Sequence, residues 1–374
     1  MTHQLGLNIA IYGRICQYKR CLARRNENLG TLARLLHRGR YPPPSRLNSS
    51  YGRGPGSIIG RFWLCFLEFG LNYFGDAFRE VSATGMRTVF ATLRPQQWVK
   101  NFVVFAGLIF SQNLGHSDLI LKTLAGFALF CLLSSSVYIF NDIMDVESDR
   151  NHPSKSNRPI ASGKIRIPTA IIIFVILAAV ALALSVWLSP VFALTALSYF
   201  VLNLLYSVYL KNVVIIDVMC IAGGFVIRAV AGAVLIGVAI STWLIVCTTL
   251  LALFLGFGKR RYELVLLENQ ATDHRKSLSE YSPYFLDQMI SVVTASTVVA
   301  YAFYTLSPEV ETKLGTRHMD LTIPFVLYGV FRYLYLIHQK EGGGSPTRML
   351  LTDKPILADI ILWLAAVILI VYFF

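Results

Sequence analysis

Apolar residues in this chain come in long blocks rather than alternating with polar ones. The blocks run over 102–118, 123–140, 167–188, 190–210, 213–235, 239–257, 288–306, 321–338 and 355–374. Most approach the roughly 20 residues an α-helix needs to cross a bilayer, so the pattern predicts an all-α integral membrane protein with nine transmembrane helices. The first block is interrupted by Gln112 and Asn113, which leaves its end open.

The polar segments between blocks are charged on alternate sides. Arg150, Lys155, Arg158, Lys164 and Arg166 follow the second block and Lys211 the fourth. Lys259, Arg260, Arg261, Arg275 and Lys276 follow the sixth, and Lys340, Arg348 and Lys354 the eighth. The other side offers Lys122, Lys313 and Arg317, diluted by Glu309, Glu311 and Asp320. The positive-inside rule then places the charged loops in the cytoplasm, the N-terminus inside and the C-terminus outside, in a cell (inner) membrane.

Composition agrees with this class and narrows the partners. With 55% hydrophobic and 15% charged residues and a mean hydropathy of +0.56, the chain is too apolar for a soluble domain of its size. Its net charge of +13 resides in short loops and the N-terminal region. That distribution favours anionic lipid and phosphorylated substrates over nucleic acid. The cysteines at 16, 21, 65, 131, 220 and 247 lack C-x-x-C spacing and read as small packing residues, not a disulfide or metal framework. No spacing suits zinc or haem.

Residues 1–85 differ from the rest. They are arginine-rich, contain Tyr41-Pro42-Pro43-Pro44 and a glycine-rich run at 51–56, and lack the compact apolar core and cleavage site of a signal peptide. They read as a basic N-terminal extension that catalysis does not need, or as sequence upstream of a true start at Met86. The functional alternative is an amphipathic stretch near 58–78 lying on the membrane surface. The catalytic domain is expected over 86–374.

Dense charge at the end of the second block carries the candidate chemistry. In a helix, at about 100° per residue, Asn141, Asp142, Asp145 and Asp149 share an arc of roughly 100°, while Glu147 points elsewhere. Oxygen ligands stepping along one helix suit Mg²⁺, which shares its shell with substrate phosphates. The basic run that follows, Arg150, Lys155 and Arg158 with His152 among them, offers donors to those phosphates. The alternative is a solvated loop with a helix cap, but three carboxylates and an amide on one face are costly unless something neutralises them.

Asn141-x-x-x-Asp145-x-x-x-Asp149, at the end of the second of nine expected helices, resembles the first acidic motif of the UbiA superfamily of intramembrane prenyltransferases over essentially 86–374. Four further stretches look like the decaprenyl-phosphate phosphoribosyltransferase branch: Arg94-Pro95-Gln96-Gln97-Trp98-Val99-Lys100-Asn101, the segment from Arg150 to Gly163, Phe225-x-x-Arg228-x-x-x-Gly232 and Gly258-Lys259-Arg260. The resemblance implies a UbiA-type helical bundle. It also implies transfer of 5-phosphoribose from phosphoribosyl diphosphate to a polyprenyl phosphate in the membrane. Asn141, Asp145 and Asp149 would carry the metal, and Asp145 and Asp149 would be catalytic. Lys100, Arg150, His152, Lys155 and Arg158 would meet the phosphates, with Lys211, Asp217, Arg228, Lys259 and Arg260 behind them.

Aromatic prenyltransferases of the superfamily carry a second aspartate-rich motif after the fourth helix. Here that region, 211–221, has only Asp217, which fits one metal cluster beside a cationic clamp. Several of these residues have plainer roles open to them. Asp217 suits an ion pair with Lys211 at a helix start; Lys100, beside Trp98, suits an interfacial anchor; His152 suits a loop-fixing role. Arg228 sits within an apolar block among Gly223, Gly224 and Gly232, where an arginine needs a polar cavity or partner. The rival functions are prenyl transfer to an aromatic or quinone precursor and, outside enzymology, an ion path.

Overall fold

A computed structural model describes residues 85–152, 155–266, 278, 280–340 and 346–374. The N-terminal extension before Gly85, the amphipathic stretch within it, Pro153 and the basic pair Arg275 and Lys276 lie outside the described residues. Every regular element among those described is helical.

In chain order these are α1 (Met86–Thr92), a 3₁₀ run (Pro95–Phe105), α2 (Ala106–Phe110), α3 (Ser117–Met144), α4 (Val146–Asn151), α5 (Ile167–Leu188) and α6 (Pro190–Val208). A 3₁₀ turn (Leu210–Asn212) leads to α7 (Ile216–Leu235) and α8 (Thr242–Leu266). After these come α9 (Pro283–Leu306), α10 (Pro308–Leu314), a 3₁₀ turn (His318–Thr322), α11 (Ile323–Gln339), α12 (Pro346–Thr352) and α13 (Lys354–Phe373).

Among the described residues, eight helices are long and apolar enough to span a bilayer, not the nine expected. The missing one is the interrupted block at 102–118. There the chain forms the 3₁₀ run and the five-residue α2, then turns at Gln112, whose φ is +59°. A 3₁₀ helix rises about 2.0 Å per residue, so Pro95–Phe110 covers roughly 30 Å with few residues, but it is broken into two short elements and carries Gln96, Gln97, Lys100 and Asn101.

Helix boundaries follow capping chemistry. Ser189 accepts from the Phe192 amide at 3.4 Å and is followed by Pro190, so α5 stops and α6 starts within one residue. Ser282 and Asp353 do the same before Pro283 and near Pro355, accepting from Phe285 and Ile356 at 3.1 and 3.0 Å. Hydropathy alone ends the sixth block at 257, whereas α8 continues to Leu266 and so carries Lys259, Arg260, Arg261 and Glu263 on helix rather than loop.

Sequential helices pack as neighbours, α3 against α5 and α6, α7 against α6 and α8, α8 against α9, and α11 against α13. The 3₁₀ run and α2 lie on α7 at backbone distance. A Cβ at Gly232 would come within 1.9 Å of the Val104 carbonyl oxygen, and one at Gly107 within 2.8 Å of the Ala233 Cα. These glycines seat Asn101 beside α7.

One end of the bundle is laced by ion pairs: Lys211 with Asp145, Arg260 with Asp217, Arg261 with Asp287, and Arg332 with Asp353. At the opposite end, beside the exposed ion pair of Arg317 with Glu311, neutral bonds join distant elements. Gln112 donates to the Leu314 and Val371 carbonyls at 2.7 and 3.0 Å, and Tyr372 donates to Ile109 at 3.1 Å.

Candidate active site

The acidic residues sit where α3 gives way to α4. The helix is nicked at Asp145, whose φ and ψ are −97° and 8°, yet the Asp145 amide still donates to Asn141 and the Asp149 amide to Asp145, at 2.9 and 2.8 Å. The i, i+4 stacking therefore survives the nick. Asp142 and Asp149 are buried, Asp145 is half-buried and Glu147 points out to solvent.

Each buried carboxylate meets a cation. Arg158 donates through one nitrogen to Asp142 at 3.1 Å and to Asp149 at 2.5 Å. Arg94 pairs with the same Asp142 oxygen, and Lys211 with Asp145. The Asn141 amide donates to the other oxygen of Asp145 at 2.8 Å. The 3₁₀ turn after α6 thus delivers Lys211 to the acidic face. Lys211 does not pair with Asp217.

Arg158 is presented by a tightly turned loop. Ile160 and Ile165 are buried against Ile139 and Ala170, the Ser162 amide donates to the Arg158 carbonyl at 2.8 Å, and Gly163 takes φ +76°. Arg150 is exposed and donates to the Ala161 carbonyl at 3.2 Å, stapling α4 to this loop. His152 is buried at the end of α4, and Lys155, half-buried, begins the loop.

A second arm comes from the 3₁₀ run. Arg94 has φ +53° and ψ +59°, a left-handed conformation that a non-glycine residue holds only when its surroundings enforce it. Ser135 enforces it here, donating to the Leu93 carbonyl at 2.8 Å and accepting from the Trp98 indole at 3.0 Å. The guanidinium then lies 5.3 Å from the centre of the Tyr138 ring, and Lys100 reaches the Tyr138 hydroxyl at 3.4 Å.

Arg228, from α7, lies deeper. It donates to Asn101 at 2.7 Å, to the Gly224 carbonyl at 2.9 Å and to the Tyr199 hydroxyl at 2.7 Å, with its guanidinium over the Tyr199 ring at 4.5 Å. Asn101, wholly buried, donates onward to Ser134 at 3.2 Å. This network answers the cost of an intramembrane arginine.

Asp217 and Arg260 form a separate centre, both fully buried and 2.6 Å apart. Tyr281 donates to the free side of Asp217 at 2.8 Å and accepts from the Ile215 amide at 2.7 Å, holding Ile215 at φ +67°. Burial pushes the Tyr281 phenol above its ordinary range, so it stays a donor. Arg260 also reaches Glu263 at 2.5 Å and Tyr206 at 3.1 Å, and Lys259 lies 3.6 Å from Glu263.

The structure therefore brings Asn141, Asp145, Asp149, Arg158 and Lys211 together, with Lys100 beside them. It sets Asp217, Lys259 and Arg260 apart, and seats Arg228 beneath the site. Asp142 was already on the acidic face read from the sequence, whereas Arg94, Tyr138 and Asn101 were not expected as site residues. Arg94 and Asn101 stood within a quoted motif, so a signal for them existed.

Among the described residues no three His, Cys, Asp or Glu side chains converge as a ready-made cation cage. The donor set nonetheless fits Mg²⁺, which takes one or two protein carboxylates and completes its shell with water and phosphate oxygens. Asn141 and Asp145 offer hard oxygens on one turn, and Asp149 lies a turn further on.

The family model "UbiA prenyltransferase family" matches residues 101–352. Decaprenyl-phosphate phosphoribosyltransferase of Mycolicibacterium smegmatis is 32% identical over 294 residues, covering 75% of this chain and 91% of that protein. The enzyme of the same name from Mycobacterium tuberculosis H37Rv is 30% identical over 298 residues, covering 78% and 97%. Among solved structures, a UbiA homolog from Archaeoglobus fulgidus bound to GPP and Mg²⁺ superposes with TM-score 0.58 at 20% identity, over 75% of this chain and 99% of that one. At that identity the likeness carries the fold alone.

Proposed function

This chain belongs to the UbiA prenyltransferase family, and from that premise we propose that it transfers 5-phosphoribose from phosphoribosyl diphosphate to the phosphate of a membrane polyprenyl phosphate, releasing diphosphate. The names of the mycobacterial relatives support this substrate pair. The observation that carries it against prenyl transfer is the closure of Asp217. The single acidic residue of the region after α6 is spent on Arg260 and Tyr281 with no exposure left, so a second metal cluster has no ligand there.

Charge supports the same reading. Asp142, Asp145 and Asp149 are matched by Arg94, Arg158 and Lys211, and Lys100 adds a fourth cation beside Tyr138. A donor with a diphosphate and a 5-phosphate, meeting an acceptor phosphate, needs more fixed positive charge than a prenyl diphosphate with a neutral aromatic acceptor.

The reaction forms a bond from an acceptor phosphate oxygen to the anomeric carbon as the bond to diphosphate breaks, the electron pair leaving with diphosphate. No strong base is required, because a phosphate monoester with a second pKa near about 6 is largely ionised at neutral pH. The ribosyl carbon becomes electron-poor, oxocarbenium-like by analogy with glycoside cleavage.

Mg²⁺ held by Asn141, Asp145 and Asp149 would supply Lewis-acid stabilisation of the leaving diphosphate. Arg158 and Arg94, both anchored by Asp142, orient the donor phosphates, and Lys211, Lys100 and Lys155 complete the clamp. Asp142 is thus a positioning residue, and Arg228 fixes Asn101 and the 3₁₀ run from beneath. The charged end faces the cytoplasm, where a sugar diphosphate is available, and the lipid enters from the bilayer.

Purified protein with Mg²⁺, phosphoribosyl diphosphate labelled in the ribose and a polyprenyl phosphate should yield labelled lipid. Absence of labelled lipid, with alkylation of an aromatic acid by a prenyl diphosphate, would establish the rival transferase instead.

A further inference from the structure

The connector between α6 and α7 carries Lys211 to the open acidic centre, and the closed centre pins it on both sides. Before Lys211, in the last turn of α6, the Tyr206 hydroxyl accepts from Arg260 at 3.1 Å. After Lys211, Arg260 holds Asp217 at 2.6 Å, and the Tyr281 hydroxyl bonds Asp217 and the Ile215 amide at 2.8 and 2.7 Å.

Between those pins the backbone is strained at one residue. Ile215 has φ +67° and ψ −47°, and the Ile216 amide donates back to the Val214 carbonyl at 2.7 Å. This is the rare, strained form of the γ-turn, and a β-branched residue at positive φ persists only where its surroundings over-determine it. The Ile215 side chain does little to hold the turn, being 42% exposed. Val214 packs against the core cluster that contains Tyr281, and the Tyr281 hydroxyl fixes the Ile215 amide.

Hydrogen bonds carry the turn's position on to Lys211. The Asp217 amide donates to the Val213 carbonyl at 3.0 Å, and the Val213 amide donates to the Leu210 carbonyl at 3.1 Å, closing the 3₁₀ turn that holds the lysine. At the other end of this path Tyr281 is itself fixed. It is buried, its ring stacks on Phe285 at 6.1 Å, and its amide donates to the Leu278 carbonyl at 3.3 Å.

We propose that Tyr281 is a positioning residue for the reaction: by latching the turn at Ile215 it sets Lys211 where the donor's diphosphate binds. Lysine is a point charge on a flexible four-carbon stem, so the precision of its placement comes from its backbone. Without the phenol, Ile215 relaxes to an ordinary φ and the connector takes another path. The role rests on the phosphoribosyl reading only through the diphosphate, which a prenyl diphosphate donor shares.

The test is equilibrium binding of radiolabelled inorganic diphosphate with Mg²⁺ to the purified full-length protein, with phosphoribosyl diphosphate measured alongside. Lys211→Met should weaken diphosphate binding about ten-fold, the scale of one lost charge-assisted bond. Tyr281→Phe, which misplaces the lysine and keeps it, should weaken binding about five-fold, with no further loss in the Lys211→Met background. It leaves no charge unpaired, because Asp217 keeps Arg260 and accepts from the Val218 amide at 2.8 Å.

Ile215→Pro removes the amide donor and forbids positive φ, so it breaks the latch from the other side with Tyr281 intact and should match Lys211→Met. Ile215→Gly added to Tyr281→Phe should restore most of the affinity, since glycine holds positive φ unaided; were Tyr281 only a packing residue, glycine would add to the damage. Unchanged affinity in Tyr281→Phe or in Ile215→Pro, a Tyr281→Phe loss that adds in full to that of Lys211→Met, or no recovery with glycine would overturn the proposal. So would a parent protein that binds no diphosphate. Binding of diphosphate without phosphoribosyl diphosphate would count against the phosphoribosyl reading and leave the latch standing.

Discussion

Two acidic centres stand at the charged end of this bundle, and they are built differently. At the α3–α4 junction Asp145 keeps 22% of its side chain exposed, and its partner Lys211 comes from a turn rather than a helix. At the start of α7, Asp217 and its partner Arg260 keep no exposure, and Tyr281 covers the remaining carboxylate oxygen. The first centre has oxygens and cations that can exchange partners when phosphates arrive. The second has already spent its donors and acceptors on itself. An acidic residue in a membrane helix is therefore not by itself a metal ligand, and its neighbours decide which kind it is.

The largest effect should come from opening the closed centre. Asp217→Asn leaves buried Arg260 with Glu263 as its remaining counter-charge, a loss of about 3 kcal/mol, the low end for a broken buried pair. It should lower the unfolding midpoint sharply before any kinetic effect can be read. A folded Asp217→Asn protein with selectively lost metal binding would break the comparison.

At the open centre the sign reverses. Asp145→Asn and Asp149→Asn should leave the unfolding midpoint near that of the parent while reducing turnover by about 10²–10³-fold, the usual range for lost transition-state electrostatics. Glu147, on the outward face, should tolerate Gln within a factor of about two. Circular dichroism melts beside initial rates separate the three variants.

The cations should divide by task. Arg158→Ala removes a side chain that bridges Asp142 and Asp149. That variant should impair phosphoribosyl diphosphate use about ten-fold or more with a smaller change for the lipid acceptor, seen as a split in kcat/KM between the two substrates. Arg94→Lys keeps the charge but loses the planar fork, and should fall between parent and Arg158→Ala.

Much of the fold was legible because hydropathy blocks and Ser-Pro or Asp-Pro boundaries are local signals. The acidic face was legible for the same reason: Asn141, Asp145 and Asp149 lie within three turns of one another. What stayed hidden depends on distant contacts or unusual backbone. The pairing of Asp217 with Arg260 spans 43 residues, and α8 had to run on past its apolar block to make it. Arg94 reaches Asp142 only from a left-handed conformation that Ser135 secures from another helix. The place of Arg228 in an apolar block called for a polar partner, and only the fold reveals that Asn101 and Tyr199 are those partners.

The smallest effect lies furthest from the site. Arg332 donates to Asp353 and holds its carboxyl below the usual carboxylate range, while the same group caps α13. With a depressed folded-state pKa, this contribution is present above the ordinary Asp value near about 3.9 and fades as pH falls through the folded one. Asp353→Ala should cost about 1 kcal/mol at neutral pH, with the difference from the parent shrinking in acid.

The contrast between the two centres is tested most directly by counting ions. Electron paramagnetic resonance of Mn²⁺, added to the full-length protein in detergent with phosphoribosyl diphosphate, separates free from protein-bound metal. All protein-bound Mn²⁺ should disappear together in the Asp145→Asn, Asp149→Asn double variant, whose fold is preserved. Bound Mn²⁺ that persists in that variant would place a second metal elsewhere in the bundle and contradict a single open centre.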